Sequence, residues 1–126
     1  MLVPVPVQHE IAQKAPLVAY VPARLAPGWK FDRWYTTGQT LAIVFTKAGK
    51  QINFVARPFK GDCARGKLKS FQMAGVKVYW GQTANEQAAW RCVNGMKLVA
   101  TTSLPPDRFA DVGLGRMAAS GHRIRG

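Results

Sequence analysis

The chain has 126 residues, a net charge of +12, and a composition that is 48% hydrophobic and 19% charged. That length suits one ordinary domain, and the apolar fraction excludes a disordered chain, which lacks the surface to offset the entropy of ordering. No run approaches the roughly 20 apolar residues of a membrane span, so the chain reads as soluble, and the excess of Lys and Arg favours anionic partners. Because the charges are scattered, a plain solubilising surface explains them equally well.

Residues 1–30 form a proline-punctuated lead-in with Pro4, Pro6, Pro16, Pro22 and Pro27. Proline fixes φ and supplies no ladder donor, which predicts an extended or edge-like segment with at most a short helical turn around Glu10 to Lys14. The start "MLVPVPVQHE" has neither the cationic opening nor the continuous apolar run of a secretion signal.

Residues 31–102 read as short strands: "FDRWYT", "TLAIVFT", "QINFVAR", "LKSFQM", "VKVYW", "QAAWRC" and "MKLVATT". Their brief Gly-, Asn- and Lys-rich connections predict antiparallel meanders, since parallel crossovers need a helix between strands. A turn at Ala48-Gly49 sets Phe45 opposite Ile52, Ile43 opposite Phe54 and Leu41 opposite Ala56, all on a core face. Asn94-Gly95 is the strongest two-residue hairpin signal, because both positions of a type I′ turn need positive φ. Counting back from it, Cys92 faces Lys97 and Trp90 faces Val99, so Trp90 and Cys92 share one side, read as the inner one.

Residues 103–120 predict a helix from about Pro105 to Ala119, with Ser103 as cap and Phe109, Val112 and Met117 at helical spacing. Gly113 and Gly115 each weaken it by about 1 kcal/mol, which makes a break there plausible. Residues 121–126 read as a frayed tail. The whole, residues 1–126, is expected to be a single α+β domain: an antiparallel β-meander sheet, a C-terminal helix packed on one face, and a proline-rich extended N-terminal segment.

Cys63, in "KGDCARGK", and Cys92, on the second hairpin, are positions that a meander can bring together. A disulfide there closes a loop of about 30 residues, stabilises by roughly 3 to 4 kcal/mol, and implies an oxidising compartment; two independent thiols are the alternative. Catalysis by either cysteine needs a nearby base, and the only histidines, His9 and His122, lie in the two terminal segments. Metal-ligand spacing is absent, and "GLGRMA" matches a dinucleotide fingerprint in letters only, because its glycines fall within the predicted helix near the end of the sequence instead of in a βαβ unit. No enzyme activity, cofactor or metal is expected.

Arg57, Lys60, Arg65, Lys67 and Lys69, interleaved with Phe59 and Phe71, form the densest basic stretch, and Trp34 and Trp80 each adjoin a tyrosine that must face the other way. The five cations and the two tryptophans are the candidate binding set. A solvated loop rim and ordinary core packing are the competing readings.

"APLVAYVPARLAPGWKFDRWY", "TLAIVFTKAGKQINFVARPF", "AGVKVYWGQ" and "AAWRCVNGMKLVATTSLPPDRFADVGLGRMAAS" follow one another in an order that resembles a family of bacterial extracytoplasmic α+β domains of unknown function, found in lipoproteins and anti-sigma-factor-like proteins. Pro22, Leu25, Pro27, Gly28, Trp90, Asn94, Gly95, Leu98 and Leu104-Pro105 fit its pattern; the two cysteines and the high charge depart from it. The resemblance implies a non-catalytic binding or sensory module, extracytoplasmic or secreted, contacting a protein, an anionic envelope component or an acidic polymer. The alternative is a small nucleic-acid-binding protein using Arg57 to Lys69, for which a cytoplasmic location remains open.

Overall fold

The computed structural model describes residues 3–24, 28–83, 85–103 and 113–124 in full and the backbone of residues 110–112. Two turns set its sheet. Ala48 and Gly49 have φ of 49° and 79°, and Asn94 and Gly95 have 50° and 76°, the paired positive values of a type I′ hairpin. Both predicted registers follow: Phe45 opposite Ile52 and Leu41 opposite Ala56 in one hairpin, Trp90 opposite Val99 and Cys92 opposite Lys97 in the other.

In chain order the elements are α1 (Val5–Lys14), a 3-10 turn (Pro16–Val18), β1 (Tyr20–Val21), β2 (Lys30–Thr37), β3 (Thr40–Lys47), β4 (Lys50–Pro58) and β5 (Lys69–Met73). Then come β6 (Val76–Gln82), β7 (Glu86–Val93), β8 (Met96–Ser103), α2 (Ala110–Ala119) and β9 (His122–Arg123). All seven predicted strands join one antiparallel sheet in the order β2-β3-β4-β8-β7-β6-β5. It comprises two meanders, β2-β3-β4 and β5-β6-β7-β8, joined where β4 pairs with β8. Since β8 takes the place beside β4, the chain leaving β4 must pass β8, β7 and β6 before it can begin β5.

One face of the sheet carries the core. Leu41, Ile43 and Phe45 of β3, Phe54 and Ala56 of β4, and Leu98 and Ala100 of β8 are fully buried in a cluster with Leu114, Met117 and Ala118 of α2 and Ile11 and Ala12 of α1. The α2 helix lies against β5 to β8. Fully burying one large aliphatic side chain stabilises by about 1.5–3 kcal/mol, so this face dominates stability. The α2 helix continues through Gly113 and Gly115 unbroken. A Cβ at Gly115 would come within 2.7 Å of the Phe71 ring, so close packing on β5 offsets the glycine penalty. Its predicted start at Pro105, like Leu25, Pro27 and Leu104, lies outside the described residues.

Both termini depart from expectation. The lead-in is not an extended segment: α1 is a ten-residue helix with Pro4 as its N-cap and Pro6 in its first turn, where a missing N–H costs no helical bond. Ile11 is fully buried, and this tertiary contact outweighs the proline signal. The predicted frayed tail is instead β9, pairing His122 with Val21 and Arg123 with Tyr20, and the Ile124 amide donates to the Ala19 carbonyl at 2.8 Å. Ser120 Oγ accepts from the Ala23 and Arg24 amides at 3.0 Å each and donates to the Met117 carbonyl, tying the two ends together.

Candidate functional site

The crossing from β4 to β5, residues 59–68, runs over the sheet face opposite α2. It is anchored along its length. The Phe59 amide donates to the Gly95 carbonyl at the tip of the β7–β8 hairpin (2.9 Å), and the Leu68 amide donates to the Trp80 carbonyl (2.8 Å). Between these ends Asp62 Oδ1 accepts from the Ala64 amide at 3.0 Å, a local Asx turn that shapes the bend.

The middle is held by a disulfide between Cys63 and Cys92, with Cα atoms 6.2 Å apart, and by the Trp90 indole, whose Nε1 donates to the Cys63 carbonyl at 2.7 Å. Trp90 and Cys92 do share a face, but it is the open face and not the inner one. Trp90 is 6% exposed yet stands outside the core cluster, because the crossing covers it. The inner side of β7 carries Gln87, Ala89 and Arg91, and the Arg91 guanidinium donates to the Ala119 carbonyl of α2 at 3.0 Å. Burial pushes this guanidinium below its ordinary range, and Tyr20 acts in the opposite sense. On β7 the open side carries Ala88, Trp90 and Cys92 while the α2 side carries Gln87 and Arg91, so alternation points away from the side that α2 covers.

Beneath the crossing, Gly81 is obligatory. A Cβ there would meet the Gly66 carbonyl oxygen at 2.9 Å and the Trp90 ring at 3.1 Å, so only glycine lets the backbone pass.

Around the crossing the open face alternates cations with rings. Arg57 lies 5.6 Å from the Phe59 centroid, Lys97 lies 5.0 Å from Phe59 and 5.1 Å from Trp90, and Lys67 and Lys77 lie 5.9 and 5.8 Å from Tyr79. Tyr79 and Trp90 are cross-strand partners with ring centroids 6.1 Å apart. Arg57 and Lys97 are direct partners across β4 and β8. Burial, and then the Arg57 charge, push the Lys97 ammonium below the usual lysine range. None of Arg57, Lys67, Lys77 and Lys97 has a carboxylate partner among the described residues.

The structure divides the predicted binding set. Arg57 and Lys67 belong to the open face, and exposed Lys60 and Arg65 sit on the crossing. Lys69 and Trp80 are cross-strand partners on the α2 side, with Nζ 5.1 Å from the indole centroid, and Trp34 packs against the core opposite Ile43. Lys77, Tyr79 and Lys97 were not in the set. Lys97 opposite Cys92 was readable from the Asn-Gly turn, whereas Lys97 opposite Arg57 depends on β4 meeting β8, a pairing of distant segments that carries no local signal. Farther along the open face, Gln51, Asn53, Glu86 and Thr101 to Ser103 line a shallow polar recess of about 180 Å³. No group of three potential metal ligands occurs among the described residues.

These features define an antiparallel α+β domain with one helix-packed face and one face strapped by a disulfide-held crossing. No protein-family model matches the chain, nor does any curated protein. Solved structures share its fold. The crystal structure of MucB in complex with MucA(peri) superposes with a TM-score of 0.55 at 13% identity, over 86% of this chain and 38% of that chain. The complex structure of Pseudomonas aeruginosa MucA/MucB does so with a TM-score of 0.54 at 14% identity, over 86% and 36%. The chain thus spans little more than a third of the length of each, and at these identities the likeness is one of fold.

Proposed function

We propose that this chain is a non-catalytic binding module that works outside the cytoplasm and takes an acidic, extended protein partner on its open face. The observation that carries the reading is the strapped crossing itself. A disulfide and an indole hydrogen bond hold it against a sheet face on which Arg57, Lys67, Lys77 and Lys97 have no carboxylate partner among the described residues. Surfaces that retain unpaired cations against aromatic rings are suited to recognition, because an anionic partner supplies the missing charge.

Three further features support the reading. A structural disulfide persists where the surroundings are oxidising, which favours an extracytoplasmic location. Bonded to each other, Cys63 and Cys92 offer no thiolate for covalent catalysis. The two solved structures compared above are complexes of MucB with MucA, which favours a protein partner. Against nucleic acid stands the state of the largest ring on this face: Trp90 is buried under the crossing and offers no platform for a stacked base.

Binding of poly-L-glutamate and of oligo-deoxythymidine, each measured at low and high salt, tests the partner. The account expects poly-L-glutamate to bind at low salt and to weaken as salt rises. Tighter binding of the oligonucleotide, with a steep salt slope, would instead support the nucleic-acid alternative using Arg57 to Lys69. Trapping the thiols with an alkylating agent in intact cells tests the compartment: a bridged pair is expected, and two alkylated cysteines would overturn the location.

A further inference from the structure

We infer that Arg57 and Lys97, opposed across β4 and β8, seat a carboxylate of an acidic peptide, and that Lys67 and Lys77, flanking Tyr79, take a second carboxylate of the same extended segment. This rests on the open-face reading above and gives it residues, spacing and a ligand chemistry.

The argument begins from an electrostatic cost. Like charges directly opposite one another on neighbouring strands destabilise a sheet, and Arg57 and Lys97 are such a pair. No acidic residue among the described ones relieves it. Lys97 lies 5.0 Å from the Phe59 ring and 5.1 Å from the Trp90 ring, and Arg57 shares the Phe59 ring. The rings offset part of the repulsion by cation–π attraction and fix both cations in place. Two cations gathered at one ring, with no carboxylate partner among the described residues, fit a carboxylate, whose two oxygens can accept from both. The same grouping recurs at Tyr79, where Lys67 from the crossing and Lys77 from β6 approach one ring at 5.9 and 5.8 Å.

Spacing follows from the sheet order. Strand β8 bears Lys97 and β6 bears Tyr79, with β7 between them, so the two seats lie about 10 Å apart at the usual strand separation of about 4.8 Å. An extended peptide rises about 3.3 Å per residue, so carboxylates two to four residues apart reach both seats. Trp90 of β7, its ring 6.1 Å from that of Tyr79, lies between the seats and under the crossing, so the segment passes over the crossing. The crossing contributes Phe59 to one seat and Lys67 to the other, which gives the disulfide that restrains it a direct bearing on the ligand.

The test titrates the intact, oxidised protein with a synthetic extended peptide carrying glutamates at alternate positions, followed by the Trp90 indole N–H resonance and by calorimetry. Arg57→Gln and Lys97→Gln are each expected to weaken binding about tenfold, equivalent to about 1.4 kcal/mol, without lowering the melting temperature. Lys50→Gln, at the tip of the β3–β4 turn, removes the same net charge and is expected to change binding less than twofold. Lys67→Gln should affect the glutamate peptide but not a peptide carrying a single glutamate. If the peptide binds but Lys97→Gln and Lys50→Gln behave alike, the two seats are wrong while the module reading survives. If no acidic peptide binds even at low salt, the open-face reading fails with them. Oligo-deoxythymidine binding more tightly than the peptide, and losing affinity in the same variants, would assign the seats to phosphates and overturn the peptide.

Discussion

The two faces of the sheet use the same strands for opposite ends. On the α2 side, side chains such as Phe54, Leu98 and Met117 are fully buried, and contact between them stabilises the fold. On the open side, a stretch of irregular backbone crosses three strands, held by a disulfide, an indole hydrogen bond and two end anchors, and like charges stand opposite one another. The lesson is a division of labour. Packing makes one face robust enough to let the other keep a local conflict, and such conflicts tend to mark function.

Truncations on the two faces offer the largest contrast. Phe54→Ala should cost about 3–5 kcal/mol by opening a cavity under α2, whereas Val55→Ala, one residue on and half-buried on the open face, should cost about 1 kcal/mol or less. Urea denaturation of both variants checks this, and equal losses would erase the distinction between the faces.

Replacing Cys63 and Cys92 by serine should cost about 3–4 kcal/mol, given the separation of 29 residues. Trypsin should then cut the crossing at Lys60, Arg65 or Lys67 before it cuts the sheet. Unchanged proteolysis would mean that the anchors at Gly95 and Trp80 suffice.

Glycines sharpen the contrast. Gly81→Ala should cost about 1–3 kcal/mol, since the new Cβ collides with the backbone of the crossing as well as with Trp90. Gly95→Val should cost a comparable 1–2 kcal/mol from positive φ alone, because no neighbouring atom lies near its Cβ. Gln82→Val, exposed at the end of β6, should change stability by less than about 0.5 kcal/mol. A melting-temperature series ranks the three.

What was legible in the sequence follows the range of the interactions. Ala48-Gly49 and Asn94-Gly95 act over two residues, so both registers could be written down in advance, and all seven strands with them. Trp90 was assigned to the wrong side because it shares its side of β7 with apolar Ala88 and Cys92, whereas the side that α2 covers carries Gln87 and Arg91 beside Ala89. The N-terminal helix was hidden by Pro4 and Pro6, whose place in a first turn becomes clear only once Ile11 is seen to be buried. Strand β9 needs Tyr20 and Arg123 to meet from opposite ends of the chain. The candidate site was half legible. Arg57 and Lys67 stand out in a basic run, whereas Lys97 acquires meaning from a β4–β8 pairing that local pattern does not encode.

The smallest expected effect concerns protons. Burial, with Arg57, holds Lys97 below the ordinary lysine range, so its protonated form is less favoured in the folded protein than in the unfolded chain. Stability is therefore diminished at neutral pH, and the deficit is relieved as the pH rises towards that of an ordinary lysine. Wild type should gain on Lys97→Gln over that interval in paired thermal melts, and Lys97 should react with an acylating reagent at a lower pH in the folded protein than in the urea-unfolded chain.

The central claim is that the disulfide-held crossing builds the binding face. Its most direct test is the affinity of one acidic peptide for the oxidised protein and for the Cys63→Ser, Cys92→Ser double variant, at one ionic strength, with far-ultraviolet circular dichroism confirming an intact sheet in both. The account predicts that freeing the crossing weakens binding about tenfold while the sheet persists. Equal affinity in a variant whose crossing has become open to trypsin would contradict it.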